Sequence, residues 1–214
     1  LYADLGIMGI GATDVPRGCD ATANDLEKIF GITEIKTVIT ENSAQVNKIV
    51  GLKDKVPSIE RIIVFEDEIK PEVQALADTN KIQIIFYKDL MKDAQKWRIE
   101  HKGEVEAEFE KGTIEDVATI IFTSGTTGTP KGVQLTYKGF LSQLDEIPER
   151  IYLNPGDKAL SVLPVWHVFE REVEYVILIQ GASLCYSKPV GSILLADFKA
   201  INPHLLPAVP RVFE

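Results

Sequence analysis

A ten-residue segment rich in glycine and hydroxyl groups spans residues 123–132 and reads Thr-Ser-Gly-Thr-Thr-Gly-Thr-Pro-Lys-Gly. Glycine lets a backbone turn tightly and approach a ligand, and the exposed amide groups of such a turn bind anions. The hydroxyl groups add donors, and Lys131 adds a positive charge that suits a phosphate group. Because an apolar, β-branched run ends at Phe122, we expect a polyphosphate-binding loop directly after a strand.

Two other phosphate-binding motifs do not fit this segment. A Walker A loop needs Gly-Lys followed by Ser or Thr, whereas Lys131 lies between Pro130 and Gly132. The spacing of a dinucleotide G-x-G-x-x-G motif is also missing. The remaining alternative is a hydroxyl-rich hairpin turn that joins Ile121 to Val133, and the full ten-residue string favours the phosphate loop over it.

The same segment resembles the phosphate-loop signature of the adenylate-forming superfamily, which contains acyl-CoA synthetases, luciferases and adenylation domains of peptide synthetases. Residues 138–140 resemble the start of the helix that follows this loop in the family. Residues 163–171 and 205–214 resemble segments of the long-chain fatty acyl-CoA synthetase branch. Residues 9–18 resemble the segment that begins the first half of such enzymes, so the resemblance covers nearly the whole chain.

The resemblance implies that the loop holds the β- and γ-phosphates of ATP while a carboxylate attacks the α-phosphorus. Acyl-adenylate and pyrophosphate form first, and a thiol, usually that of coenzyme A, then displaces AMP. The hydroxyl group of Thr123 corresponds to a position that can help to bind Mg²⁺. The implied nucleotide-binding residues are Thr123, Ser124, Gly125, Thr126, Thr127, Gly128 and Lys131.

Two residues after a later predicted strand also gain a role from the resemblance. His167 corresponds to a histidine beside the acyl-binding site, where it helps to orient an aromatic wall and the carboxylate end of the substrate. His167 is therefore the candidate catalytic residue, and Trp166 and His167 are the candidate substrate-binding residues. The alternatives are that His167 caps or packs at a strand-to-helix junction and that Trp166 fills the core.

Glu170 and Glu174 lie four residues apart, which places them on one face of a helix. Such a pair could act as catalytic carboxylates. We expect instead a solvated face or an ion pair with Arg171, because most charged helix positions are exposed. His101 and His204 have no partners nearby in the sequence, and we expect both to be structural.

Short β-branched runs alternate with amphipathic stretches along the chain. Several of the runs are apolar on both faces, as in buried parallel strands, so the sequence predicts an α/β fold with mainly parallel sheets and helices on both faces. The resemblance implies that this is part of the N-terminal domain of an acyl-CoA synthetase-like fold. The predicted strands are 36–40, 61–65, 82–87, 117–122, 159–163, 182–186 and 204–209, and the predicted helices are 22–31, 42–50, 71–79, 89–97, 138–150, 167–180 and 192–200.

The acidic segment 100–116 interrupts this alternation. Its residues 104–110 alternate glutamate with other side chains, which fits either an edge strand or a solvated connector, and we favour the solvated connector. We expect a division near residue 112. On this view residues 1–112 belong to a first α/β subdomain, and residues 113–214 carry the phosphate loop and the acyl site.

Composition excludes several classes of function. The 214 residues include 23 basic and 32 acidic side chains, a net charge of −9, which argues against non-specific binding to nucleic acid or adhesion to an anionic membrane. Cys19 and Cys185 are far apart, as in a protein with reduced thiols, and no apolar stretch is long enough to span a bilayer. We expect a cytoplasmic location, with peripheral membrane contact open because the implied substrate is a lipid.

The resemblance implies an ATP-dependent long-chain fatty acid–CoA ligase, with fatty acid and coenzyme A as substrates and ATP and Mg²⁺ as cofactors. An acyl–acyl carrier protein synthetase, a nucleotide-binding module without catalysis and, less strongly, a phosphotransferase remain alternatives. Both ends of the chain lie within a structural pattern, so we expect a fragment. It lacks the family's later adenine, ribose and lid motifs, and we expect it to be inactive alone.

Overall fold

A computed structural model describes residues 1–123 and 130–212. Helices and strands alternate through this part of the chain, which confirms the α/β class. The helices are α1 (Tyr2–Gly9), α2 (Ala23–Thr33), α3 (Ser43–Val50), α4 (Pro71–Thr79), α5 (Tyr87–Glu100), α6 (Glu104–Phe109), α7 (Tyr137–Glu146), α8 (Val168–Ile179) and α9 (Gly191–Ile201). The strands are β1 (Thr37–Thr40), β2 (Arg61–Val64), β3 (Gln83–Phe86), β4 (Val117–Thr123), β5 (Lys131–Thr136), β6 (Lys158–Ser161) and β7 (Ser183–Tyr186).

The described chain divides into two compact units. The first unit contains the described residues within 1–16, 112–121 and 133–214. The second contains those within 17–111 and 122–132. Gly112 begins one stretch of the first unit, and the division of a whole enzyme near this residue stays a prediction.

The second unit is built on a parallel sheet in the order β1-β2-β3, with Thr37 opposite Arg61 and Arg61 opposite Gln83. Each connection between these strands contains a helix, as parallel neighbours require. Apolar residues three and four positions apart give α3 and α4 one buried face each. The buried residues of these two helices are Val46, Ile49, Val50, Val73 and Ala77.

In the first unit, β6 and β7 form a parallel pair with Lys158 opposite Ser183, and α8 connects the two strands. A core cluster joins Leu153 and Ala159 to Ile177 of α8 and Ala182. The helix α8 is the next element after β6, so a short segment joins the carboxyl end of β6 to the amino end of α8. Residues 162–167 connect them, and they include Trp166 and His167.

The strand β5 was not predicted. It pairs with β4 in a two-stranded sheet. Its residues Lys131–Thr136 are mostly exposed and include only two apolar side chains, Val133 and Leu135, so the segment lacks the apolar run from which the other strands were predicted. Ser124, Gly125, Thr126, Thr127 and Gly128, which belong to the predicted phosphate loop, lie outside the described residues.

Two sequence-based expectations are corrected. The predicted strand 204–209 is reduced to a single parallel bridge between Ala159 and Leu205, because Pro207 has no amide hydrogen to continue a ladder and Pro210 starts a 3-10 turn. The edge strand considered for residues 104–110 is wrong, since α6 occupies Glu104–Phe109. This helix has no buried residue, so the solvated character of the segment is confirmed.

Candidate functional site

The two described ends of the predicted phosphate loop are the last residue of β4 and the first residue of β5. Thr123 and Lys131 are both exposed there, and their strands are hydrogen-bonded neighbours. Arg17 adds a second cation, because its Nη1 donates to the carbonyl oxygen of Phe122 at 3.4 Å. Sequence reasoning missed Arg17, whose distance of 105 residues from Phe122 leaves no local signal.

The candidate acyl-site residues lie at the start of α8. His167 is the N-cap residue of this helix but makes no side-chain capping hydrogen bond, and its side chain is exposed. The Trp166 ring is half-buried, with its centroid 6.3 Å from that of the His167 ring. The backbone amide of His167 donates to the carbonyl of Pro164 at 3.0 Å, so the turn is fixed by the backbone and leaves the imidazole free of a capping role.

Arg171, one turn into α8, is the centre of a buried polar network in the first unit. Its guanidinium group is only 3% exposed. Nε donates to the Tyr175 hydroxyl at 2.7 Å, and Nη1 donates to Thr119 Oγ1 at 3.0 Å and to Asp14 at 3.2 Å. Nη2 forms an ion pair with Asp4, and Tyr175 donates to the other Asp4 oxygen at 2.6 Å. The network therefore saturates a planar, five-donor side chain.

Electrostatics favour the ionised form of this arginine. One guanidinium faces two carboxylates, so the charges of Arg171, Asp4 and Asp14 sum to −1. The carboxylates outweigh the cost of burial and raise the pKa of Arg171 above its usual value. Burial raises the pKa of Asp14, and Arg171 opposes that rise. The ring of Phe140 also packs against the guanidinium, 5.7 Å from its centre.

Three glutamates of α8 are buried, which corrects the expectation of a solvated face. Glu170 is 1% exposed and Glu174 is 3% exposed. Neither forms an ion pair with Arg171 among the described residues, so that expectation is wrong too. Glu174 accepts from Ser161 Oγ at 3.1 Å, whereas no hydrogen bond to Glu170 within the normal distance limit is found in the described chain.

Burial is the main cause of the raised pKa of each of these three carboxyl groups. Burial raises the pKa of Glu170, and the Ser161 hydroxyl and the amides of Leu163 and Val162 oppose that rise only in part. It raises the pKa of Glu174 as well, and raises the pKa of Glu172 to about 7. The sequence offered one signal of this burial: the charged residues of α8 lie in a run that continues as Tyr-Val-Ile-Leu-Ile.

An apolar cavity of about 360 Å³ lies beside the arginine network, between α1, α7 and α8. The two tyrosine hydroxyls at its wall are occupied, because Tyr137 donates to the carbonyl of Met8 at 2.7 Å and Tyr175 donates to Asp4. Neither Trp166 nor His167 lines it. The lining residues are Leu5, Met8, Tyr137, Phe140, Leu141, Leu144, Tyr175, Leu178 and Ile179.

A larger cavity, of about 730 Å³, lies in the second unit near the amino ends of α3 and α4. Helix amino ends attract phosphate. Here, however, Glu66 already accepts from the amide of Ser43 at 2.8 Å, and Asp67 and Glu68 add negative charge to the wall. This cavity is therefore unsuited to a polyphosphate.

The remaining histidines have structural partners, as expected. His101 stacks on Trp97 with ring centroids 4.4 Å apart and lies 2.9 Å from Glu104. His204 accepts from the amide of Lys158 at 3.0 Å. Cys19 and Cys185 are free thiols. Within residues 1–123 and 130–212, no set of three or more His, Cys, Asp or Glu side chains is arranged to hold a metal ion. No helix there has the length and hydropathy needed to cross a bilayer.

Comparison with known proteins identifies one family over the whole chain. The sequence model described as "AMP-binding enzyme" matches residues 1–214. Two proteins of Arabidopsis thaliana align with the complete chain: "Probable acyl-activating enzyme 16, chloroplastic" is 32% identical, and a chloroplastic long-chain-fatty-acid–[acyl-carrier-protein] ligase is 30% identical. The chain spans 29% of the length of each. Human long-chain-fatty-acid–CoA ligase 1 is 38% identical over 47% of the chain and 15% of its own length.

Solved structures with the same fold include enzymes that differ widely in sequence. An anthranilate CoA ligase in complex with anthranoyl-AMP superimposes with a TM-score of 0.73, at 16% identity over 99% of this chain and 38% of its own. A long-chain-fatty-acid–CoA ligase from Archaeoglobus fulgidus gives a TM-score of 0.70, at 19% identity over 98% of this chain and 37% of its own. At these identities the likeness extends to the fold, which confirms the expected N-terminal-domain architecture of adenylate-forming enzymes.

Proposed function

Since the chain belongs to the family of AMP-binding enzymes, we propose that it is the phosphate-loop portion of an ATP-dependent ligase that activates long-chain fatty acids. The observation that carries the proposal is the string Thr-Ser-Gly-Thr-Thr-Gly-Thr-Pro-Lys-Gly, which directly follows a buried strand. Thr123 and Lys131, on either side of the undescribed part of this string, are both exposed, and they lie on the neighbouring strands β4 and β5.

In the proposed first half-reaction, a carboxylate oxygen forms a bond to the α-phosphorus of ATP as the bond to the pyrophosphate oxygen breaks. The task of the protein is to position the reactants and to offset the charge of the triphosphate. Lys131 supplies a point charge for the β- and γ-phosphates. Ser124, Gly125, Thr126, Thr127 and Gly128 supply hydroxyl and amide donors.

Thr123 fits a role as a ligand of Mg²⁺ that arrives with ATP. Mg²⁺ prefers oxygen ligands, keeps several waters and shares substrate phosphates with one or two protein groups. An exposed hydroxyl at the end of β4 suits such a partial site. The metal would supply charge neutralisation for the leaving pyrophosphate.

His167 and Trp166 are proposed to contact the carboxylate end of the fatty acid. The support is that His167 is exposed and does not cap α8, while Trp166 keeps part of its ring accessible. Both residues lie after the carboxyl end of β6, the edge at which open α/β sheets bind ligands.

The acceptor of the acyl group is proposed to be coenzyme A, with an acyl carrier protein as the second candidate. Relatives of both kinds align with the chain: one that covers all of it is named for the carrier protein, and the human relative is named for CoA. Comparing free coenzyme A with carrier protein as acceptor, in the natural protein that contains this chain, separates the two. The expected cytoplasmic location stays a prediction, and two relatives are chloroplastic by name.

The test is fatty-acid-dependent exchange of pyrophosphate into ATP. It is run on the longest natural protein that contains this chain and on the 214 residues alone, with several fatty-acid lengths and a control without fatty acid. We expect exchange in the longer protein only when fatty acid is present, and none in the 214 residues alone. Absence of exchange in the longer protein at every chain length would overturn the proposal and favour a nucleotide-binding module without catalysis.

A further inference from the structure

The polar network around Arg171 joins the strand that leads into the phosphate loop to the helix that starts at the candidate acyl site. Thr119 is the third residue of β4 and is fully buried. Its hydroxyl accepts from Arg171 Nη1 at 3.0 Å. Four residues further along the same strand lies Thr123, where the ten-residue signature begins.

Asp14 strengthens the link between Arg171 and β4. Its backbone forms a parallel bridge with Thr119: the amide of Ile120 donates to the Asp14 carbonyl at 2.9 Å, and the Asp14 amide donates to the Ala118 carbonyl at 3.3 Å. Its carboxylate accepts from both Nη atoms of Arg171, each at 3.2 Å. The guanidinium group of Arg171 therefore contacts β4 directly through Thr119 and indirectly through Asp14.

At its other end, Arg171 is part of the first turn of α8. Its amide donates to the carbonyl of His167 at 3.2 Å. A shift of the guanidinium relative to β4 would therefore be transmitted to the turn that carries His167. A fork of five donors with all its partners engaged leaves little freedom for such a shift, whereas a lysine would keep the charge and lose the geometry.

We propose that Arg171 is a positioning residue for the adenylation reaction, which fixes β4 relative to the start of α8 through Thr119 and Asp14. This inference rests on the proposed function. Arg171 acts through other residues, and no contact of its own with a substrate is invoked. Misplacing reacting groups by about 1 Å can cost 10²-fold in rate, so a small displacement is enough to be measured.

The test uses three variants of the natural protein that contains this chain. Arg171→Lys keeps the charge but loses the fork, and Thr119→Val removes only the hydroxyl on β4. Tyr175→Phe is the matched control: it removes the acceptor of Arg171 Nε and a donor to Asp4, and it leaves in place the bonds from Arg171 Nη1 to Thr119 and Asp14, which hold β4. Melting temperatures are measured first, and kinetics are recorded where every variant is fully folded.

We expect Arg171→Lys to lower the kcat of pyrophosphate exchange about tenfold or more, Thr119→Val to lower it severalfold and Tyr175→Phe to change it less than twofold. The double variant of the first two should be no worse than Arg171→Lys alone, because both act through one contact. Tyr175→Phe should still lower the melting temperature. An unchanged kcat in folded Arg171→Lys, or fully multiplicative effects in the double variant, would overturn the inference.

Amide hydrogen exchange provides a readout that needs no activity. Residues 119–123 should exchange faster in Arg171→Lys and Thr119→Val than in Tyr175→Phe, because only the first two loosen β4. Equal rates of amide exchange at residues 119–123 in all three variants would contradict the inference, whatever the kinetic measurements show. If the parent protein shows no fatty-acid-dependent exchange of pyrophosphate, the proposed function fails, and this measurement still decides whether Arg171 holds β4.

Discussion

At the scale of single residues, α8 contains several ionisable side chains whose burial costs free energy. Four of the five positions from 170 to 174 carry ionisable groups, and Glu170, Arg171, Glu172 and Glu174 are all buried. The arginine is compensated by Asp4 and Asp14, which lie more than 150 residues away in sequence. None of the three glutamates forms an ion pair within the described residues, and burial raises the pKa of each, a rise that Arg171 opposes at Glu172.

This difference predicts how stability depends on pH. Because burial raises the pKa of Glu172 to about 7, the folded state binds its proton more tightly than the unfolded state does. The contribution is complete below the ordinary glutamate pKa and is lost as pH rises towards 7. We therefore expect Glu172→Gln to unfold at higher denaturant concentration than the parent at pH 8, with a difference that shrinks towards pH 5.

The exposed Glu110 supplies the control for that comparison. Glu110→Gln should leave the pH dependence of the unfolding midpoint as it is in the parent. A difference between Glu172→Gln and the parent that stays constant from pH 5 to 8 would contradict the account of Glu172.

At the scale of elements, local signals predict where helices start better than where they end, and each predicted helix starts within two residues of the observed one. The predicted helix 22–31 starts at Thr22, which is the N-cap residue of α2 and forms a capping box. The Thr22 hydroxyl accepts from the Asp25 amide at 3.2 Å, and the Asp25 carboxylate accepts from the Thr22 amide at 3.2 Å. Hydrogen bonds from Thr22 also lower the pKa of Asp25. A signal contained within four residues can be read from a single sequence.

We expect Thr22→Ala to lower the free energy of unfolding by about 0.5–2 kcal/mol, because the first turn of α2 loses an acceptor. Thr22→Ser retains the hydroxyl and should stay close to the parent. Urea denaturation of the 214-residue chain measures both. Equal losses in the two variants would show that the methyl group of Thr22, and not its capping hydroxyl, contributes the stability.

Strands were predictable where burial gives them a run of apolar residues. The runs at β1, β2 and β3 fall within a residue or two of the predicted ranges. β5 was missed because an exposed strand beside a turn needs no apolar run, and its stability comes from pairing with β4. The segment after His204 was wrongly predicted as a strand, since its prolines limit pairing to one bridge.

At the scale of the whole molecule, the sequence predicts the phosphate loop but does not reveal the long-range contacts around β4 that lead into it. The loop string is contiguous and specific, so its role can be predicted from residue type and order alone. Arg17 at the carbonyl of Phe122 and the partners of Arg171 come together only through the fold. Long-range ion pairs leave no periodic pattern, and a single sequence contains no spacing that would reveal them.

Residues 123–132 are proposed to bind the triphosphate of ATP in a carboxylate-activating ligase. The most direct test of this role is pyrophosphate exchange by Lys131→Ala in the natural protein that contains this chain. The control is Lys138→Ala, which removes an exposed lysine that pairs with Glu115 on the surface. We predict a loss of about 10²-fold for Lys131→Ala, typical of removing a charge-stabilising donor, and parent-like exchange for Lys138→Ala. Parent-like exchange in folded Lys131→Ala would contradict the account.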